Sequence, residues 1–574
     1  MKKKKDEENK LKKISYILLL FSFLIPFLFY FFSLYRDIVF FDAGEFIIAS
    51  YTLGITHPTG YPLYVILSYP FVHLFSNPVF GSSLLSALFL SVACIFIYLF
   101  TSSFTSYYFE KAKNSYFISF ALALFVASDM LIWHWSIQPE VYSLNILLIS
   151  VASYLFLRVL NYKKNEKLFF FFLALGLSNH RTFIYYFLIF IIIIVLTKKY
   201  KILFDQKNIL SFVAGFSPYF FMFIQANFHP FLNWGNPSNL NYFLKHISAW
   251  QYKAIFGISE HTKFHIKYLF SSLPEDIFIP ILFLIVLGIL TSIFSKNWKI
   301  FLALFFICFL SLFQVLYYNI GDIEPYYINF HLPLLLFSVF FMFYFSKILK
   351  KFNFLFILFG IIAFFINFPK LDGSKFFFTR NFINNTILNM PKNSVLISSK
   401  GSIFYFPFLY MQVIEKERKD IIYIDSELLK LSWYVDFLKN LYPDFFKGLE
   451  EDFSNYEEIL KKNEKGKVAI EDLKKSYLKI IDKIVNKCWE NNFYVFVGHE
   501  FVRKGYADNY FPVPSGLFFE IQKTKGCYNA YMSLSEDFVP KSYPLKQKFI
   551  IYDIIKLNEQ MKYFRKKYED TFCN

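Results

Sequence analysis

Cysteine is scarce in this chain, five in 574 residues, and the five are poorly placed for cysteine chemistry. Cys94 and Cys308 fall in apolar runs, and Cys488, Cys527 and Cys573 lie in the polar C-terminal third. Their spacing suits neither a zinc site nor a disulfide framework, and leaves room for one disulfide in the tail. Walker and Rossmann glycine patterns are missing, as is a nucleophile elbow, so no soluble nucleotide sugar is implied. There is no internal repeat, and no low-complexity segment beyond the lysine-rich start. Acidic residues are nearly absent from the long apolar runs. That counts against a transporter, which keeps ionisable groups near the membrane midplane.

What is present is apolar surface. The chain is 56% hydrophobic and 23% aromatic, with 82 Phe, which excludes a single soluble domain and a disordered protein. About eleven runs have the length and apolarity of membrane spans. They cover Ile14–Tyr35, Leu84–Phe104, Tyr116–Ile132, Val141–Leu160, Leu168–Asn179, Thr182–Leu196, Ile209–Gln225, Ile277–Ile293, Ile300–Tyr318, Ile328–Phe345 and Phe352–Asn367.

The net charge of +17 is a membrane signature rather than a nucleic-acid one, because the basic residues cluster at the ends of apolar runs. With the N-terminus cytoplasmic, Lys111, Lys113, Lys163, Lys164, Lys167, Lys198, Lys199, Lys201, Lys296, Lys299, Lys347, Lys350 and Lys351 all fall on inner loops. Outer loops keep Arg36, Arg181 and a few Lys. An odd span count sends the C-terminus outside. The start, MKKKKDEENKLKK, reads as a basic flank to a retained anchor, since the apolar run after it is long and lacks a small-residue cleavage site.

From about residue 369 the apolar runs shrink to strand length: SVLIS, IIYI and YVFV, separated by amphipathic segments such as EDLKKSYLKIIDKIVNKCWE. The expected organisation is a basic N-terminus over 1–13, a helical polytopic membrane domain over 14–368 with a long first outer loop, and an extracytoplasmic α/β domain over 369–574. The expected location is a multi-pass protein of the cell (inner) membrane.

The chemistry concentrates in FDAGEFIIASYTLGITHPTGYP, residues 41–62. Asp42 and Glu45 share a helix face at i and i+3. D-x-x-E before an apolar run is also capping-box spacing, and a cap would fix a carboxylate in place. A carboxylate pair at the outer edge of a membrane is costly to keep charged and points to function. Such a group can take a proton from a hydroxyl during group transfer. The Pro-Thr-Gly-Tyr-Pro turn then breaks the helix, and the next apolar stretch reads as a short amphipathic or re-entrant helix.

This stretch resembles the signature D-S/A-G-E-F … H-P-x-G-Y-P-L-Y of a polytopic membrane family. That family is similar to the animal transmembrane protein O-mannosyltransferases of the GT-C superfamily. LSNHRT at 177–182, WGNP at 234–237, HISAWQY at 246–252, YNIGDIEPYYIN at 318–329 and the segment from Asn393 to Lys439 extend the likeness. In the tail this chain departs from it, having Ser398, Ser399, Lys400, Gly401 and Ser402 where relatives carry acids.

The resemblance implies a GT-C fold with an outward-facing site. It implies an inverting transfer from a polyprenyl-phosphate sugar to a protein or envelope-glycan acceptor, with Asp42 as base and Glu45 beside it. Arg181, on the outer side between two apolar runs, suits a donor phosphate, because guanidinium matches phosphate bidentately. Further candidates for substrate binding are His57, Tyr61, Glu140, His180, Lys245, His246 and Asp322. No cofactor is expected. No His, Asp and Glu spacing marks a metal site, and a divalent ion stays open. Two readings from other classes compete: a flippase or transporter of lipid-linked sugars, and a scaffold that only anchors the outer domain.

Overall fold

A computed structural model describes residues 2–109, 115–162, 164–258, 260–295, 298–320, 323–349, 352–532 and 543–573. Asp322 lies outside the described residues, as do Lys111, Lys113, Lys163, Lys296, Lys350 and Lys351. The contacts divide the chain into two compact units. The first comprises Met1–Arg36, Tyr61–Ile224 and Ile247–Lys375, and the second comprises Asp37–Gly60, Gln225–His246 and Phe376–Asn574. Composition divides the chain once, near residue 369. The fold draws two loop segments from the apolar half into the second unit.

The first unit is helical. Each of the eleven apolar runs forms helix. Among the described residues six helices are long and apolar enough to cross a membrane: Asn9–Ser33, Pro78–Tyr108, Tyr142–Asn161, Trp298–Tyr317, Glu324–Ile348 and Phe354–Leu371. Two bent pairs, one broken by 44° at Gly215–Ser217 and one by 112° after Asp276, raise the number to as many as eight by length and composition. Ser115–Ser128 and Arg181–Leu196 are shorter apolar helices, as is Pro62–Leu74, the stretch read as amphipathic or re-entrant. The difference between eight and eleven therefore lies in helices too short to span alone at 1.5 Å per residue.

An ionisable pair hides in this unit. His331 Nδ1 and Asp129 Oδ2 are 2.8 Å apart with both side chains fully buried. Asp129 also caps the helix Met130–His134 by accepting the Ile132 N–H. Asp129 thus has one oxygen on a backbone N–H and the other on the His331 ring.

The second unit holds a five-stranded sheet of order β2-β1-β3-β5-β4. Its strands are β1 Ser394–Ser398, β2 Ile422–Asp425, β3 Tyr494–Val497, β4 Phe511–Ser515 and β5 Phe518–Gln522. The first three are parallel and the last two antiparallel. The helix Ile470–Glu490 leads into β3 and buries Tyr477, Ile480, Ile481, Ile484, Val485 and Cys488, a stripe at helical spacing. β4 escaped the sequence reading because Pro512 and Pro514 demote a strand. It sits at the sheet edge, where a missing N–H costs nothing on the outer side. Cys527 and Cys573 form a disulfide, while Cys488 is a buried free thiol.

At the carboxyl ends of the parallel strands lie two buried acids. Glu500 Oε1 accepts from Ser398 Oγ and the Ser399 N–H. Asp425 Oδ1 accepts the N–H groups of Glu427 and Leu428, each at 2.9 Å. Burial pushes the Asp425 carboxyl up to about 7, with the charges of Glu427 and Glu500 adding to the rise and the two N–H groups opposing it. The folded chain thus holds this proton more tightly than the unfolded one. The resulting stability is full below about pH 4 and lost as pH rises through 7, roughly 4 kcal/mol in all. Asp425→Asn keeps the accepting oxygen and removes the titration. In purified full-length protein, the unfolding temperature of wild type should fall more steeply between pH 5 and 8 than that of the variant. Parallel curves would refute the assignment.

Candidate active site

The second unit gathers the residues of the opening motif. The helix Ala43–Thr52 begins after Phe41, whose φ of 66° is a left-handed conformation rare for an aromatic residue. Phe41 is pinned there by its N–H, which donates to the Ser402 carbonyl at 2.9 Å. Asp42 occupies the N-cap position and its carbonyl accepts the Phe46 N–H, but its side chain makes no cap hydrogen bond. The capping-box expectation is corrected on this point: neither carboxylate is spent on the helix end.

Gly44 explains the glycine of the motif. A Cβ placed there would stand 2.3 Å from the Phe406 carbonyl oxygen, so this helix packs on the backbone of Phe406–Val413 at a distance only glycine allows. The helix buries eight of its ten residues. It ends at Leu53, φ 48°, with the Gly54 N–H on the Ala49 carbonyl, a left-handed C-cap. Ile55 then bridges to Asn233 in parallel, through Ile55 N–H to Leu232 O at 2.6 Å and Trp234 N–H to Ile55 O at 3.2 Å. The turn is closed by Thr56 Oγ1 on Gly60 O and by the Gly60 N–H on His57 O, both at 2.8 Å.

The turn returns His57 to Glu45. The His57 backbone N–H donates to Glu45 Oε1 at 2.5 Å, and His57 Nδ1 lies 2.9 Å from Oε2. Both oxygens of a 1% exposed carboxylate are therefore committed to one residue. On the far side of the ring, Nε2 is 4.0 Å from Asp42 Oδ2. The Asp42 side chain is 26% exposed and that of His57 15%. The two acids share a helix face, yet they are not equivalent. Glu45 is a buried anchor, and Asp42 is the accessible group.

Aromatic rings wall the site. Trp234 lies edge-on to His57 at 6.0 Å and packs on Trp433 at 4.6 Å and Phe406 at 6.4 Å. Trp433 and Phe406 come from the tail, and sequence reasoning assigned them nothing. His246 is buried, packed so closely on Gly235 that a Cβ there would meet Nδ1 at 2.8 Å. Burial, then the neighbouring His57, pull its imidazole down to about 3, against a raising hydrogen bond with the Thr56 backbone, so His246 is neutral. Lys245 Nζ donates to the Glu464 carbonyl at 2.7 Å and sits 5.9 Å from the Tyr242 ring. Arg380 binds Asp37 at 2.7 Å and Glu415 at 2.6 Å, tying the start of the first loop to the tail.

The remaining candidates belong to the first unit. His180 accepts the Thr182 N–H, caps Arg181–Phe183 and stands among Tyr61, Tyr142 and Tyr326 at 5.9, 5.4 and 5.8 Å. The Arg181 guanidinium lies over Phe256 at 5.2 Å and Tyr318 at 5.1 Å. Glu140 is buried, and its carbonyl accepts from Ser86 Oγ.

A membrane protein in which a buried Glu–His pair fixes a turn beside an accessible aspartate is the class these features define. Residues 42–203 match the family model described as the protein O-mannosyl-transferase TMEM260 N-terminal domain. Over 235 residues the chain is 27% identical to "Protein O-mannosyl-transferase tmem260" of Dictyostelium discoideum, covering 37% of this chain and 28% of that protein. Over 224 residues it is 26% identical to "Protein O-mannosyl-transferase TMEM260" of Mus musculus, covering 37% and 31%. The match thus spans less than a third of the length of these relatives. The O-mannosyltransferase-like family read from the motif is shown over this stretch.

Gly44→Ala tests the close approach. The added methyl must push the helix off Phe406, which costs a few kcal/mol by overpacking. The expected result is a lower unfolding temperature in detergent, and a temperature equal to wild type would contradict the packing.

Proposed function

We propose that the protein is a GT-C-type membrane glycosyltransferase. It moves a hexose, mannose-like by the resemblance, from a polyprenyl-phosphate carrier to an acceptor hydroxyl at the outer face of the membrane, with inversion. The relatives are named as protein O-mannosyl-transferases, and protein Ser/Thr hydroxyls are the acceptor they suggest. The observation that carries the reading is Asp42: a carboxylate 26% exposed at the start of a buried helix, making no side-chain cap hydrogen bond and lying 4.0 Å from the His57 ring. The Cys527–Cys573 bond supports placing the tail domain outside the cytoplasm, since disulfides persist in oxidising compartments.

In this reading Asp42 takes the acceptor proton as the oxygen attacks the anomeric carbon. The bond from that carbon to the phosphate oxygen breaks, and polyprenyl phosphate leaves with the electron pair. Glu45 holds His57 and the turn in place.

General-base catalysis contributes about 10²–10⁴-fold, so Asp42→Asn should lower turnover by that factor with the unfolding temperature kept. The measurement is polyprenyl phosphate released when purified protein meets polyprenyl-phosphate sugars and a cell-envelope extract. Equal release by both forms removes the mechanism.

A further inference from the structure

The strongest unassigned feature is the cluster of Asp42, Glu45 and His57. One ligand atom each from Asp42, Glu45 and His57 lie within 4.8 Å of one another. We propose that Asp42 and His57 hold a divalent transition-metal ion, Mn2+ or Zn2+ in character, with Glu45 fixing the imidazole from behind.

Three geometric facts lead there. Glu45 takes the Nδ1 side of the ring at 2.9 Å and the backbone N–H of the same residue at 2.5 Å, so the ring cannot swing. A carboxylate behind a histidine is the usual outer partner of a metal-bound imidazole: it holds the proton on the near nitrogen and leaves a lone pair on the far one. That far nitrogen, Nε2, lies 4.0 Å from Asp42 Oδ2. The gap is too long for a hydrogen bond. Two ligands each about 2.0–2.2 Å from one ion stand about 3–4 Å apart, so it spans one cation.

A second, independent feature sits in the same wall. His246, 3% exposed, has an Nε2 atom with no hydrogen-bond partner among the described residues. It packs against the Gly235 backbone near the Thr56–His57 turn. An oxygen and an imidazole ligand with open positions favour a first-row transition ion over calcium, which prefers all-oxygen cages. The ion takes Oδ2 and leaves the second oxygen of Asp42 for the acceptor. Only that catalytic role rests on the transferase reading; the seating of the ion does not.

The test uses full-length protein in detergent, stripped with chelator and titrated with Mn2+ alone, reading free Mn2+ by electron paramagnetic resonance. One ion per chain should bind. His57→Ala and Asp42→Asn should each weaken binding at least tenfold, and Glu45→Gln about 10–100-fold through the ring it no longer fixes. Asp425→Asn should leave binding unchanged. Wild type itself supplies a check that needs no variant: spin-echo modulation from a directly bound imidazole nitrogen. No stoichiometric binding, no nitrogen coupling, or equal affinity in His57→Ala each overturns the proposal. If Mn2+ binds as described while Asp42→Asn still releases polyprenyl phosphate at the wild-type rate, the transferase mechanism fails and the site stands. If no ion binds while release depends on Asp42, the site fails and the mechanism stands.

Discussion

The hydrogen-bonded pair of Glu45 and His57 is the constraint on which the site depends. A carboxylate buried beside an apolar helix is expensive unless its oxygens are met. Here one residue meets both, through its backbone and its ring. That single partnership closes the turn and leaves the far edge of the imidazole facing Asp42, with Nε2 4.0 Å from Oδ2. Asp42 is left accessible because Glu45 and His57 have already satisfied each other.

Packing around the pair is equally specific. Gly44 lets the helix rest on Phe406, Gly54 lets the next turn approach Leu232, and Ile55 extends into a two-residue bridge with Asn233. At the two glycines a Cβ would intrude on a neighbouring backbone. Gly60 differs: its φ of 93° is the conformational freedom that the turn requires.

Much of this was legible in the sequence. The eleven apolar runs are helices, and SVLIS and YVFV form strands at the residues expected, with IIYI displaced by one. The i, i+3 spacing of Asp42 and Glu45 does place them together. What spacing could not show is the division of labour between them. The turn that returns His57 to Glu45 is a tertiary event, and residues 42, 45 and 57 match no local metal pattern. Phe406 and Trp433 were invisible as site residues because nothing local marks a ring that will be used across a fold. The edge strand β4 hid behind its prolines, which only its place in the sheet makes harmless. Whether Ser115–Ser128 and Arg181–Leu196 cross a bilayer depends on neighbours, not on hydropathy.

The second unit is assembled from three stretches far apart in the chain, and Phe41 bonds to Ser402. During synthesis the segment bearing Asp42 therefore cannot complete its packing until the tail that carries Ser402 and Phe406 has been made and folded. The order in which the chain is made thus sets the order in which this unit closes: the helix Ala43–Thr52 comes early and the surface it rests on comes late.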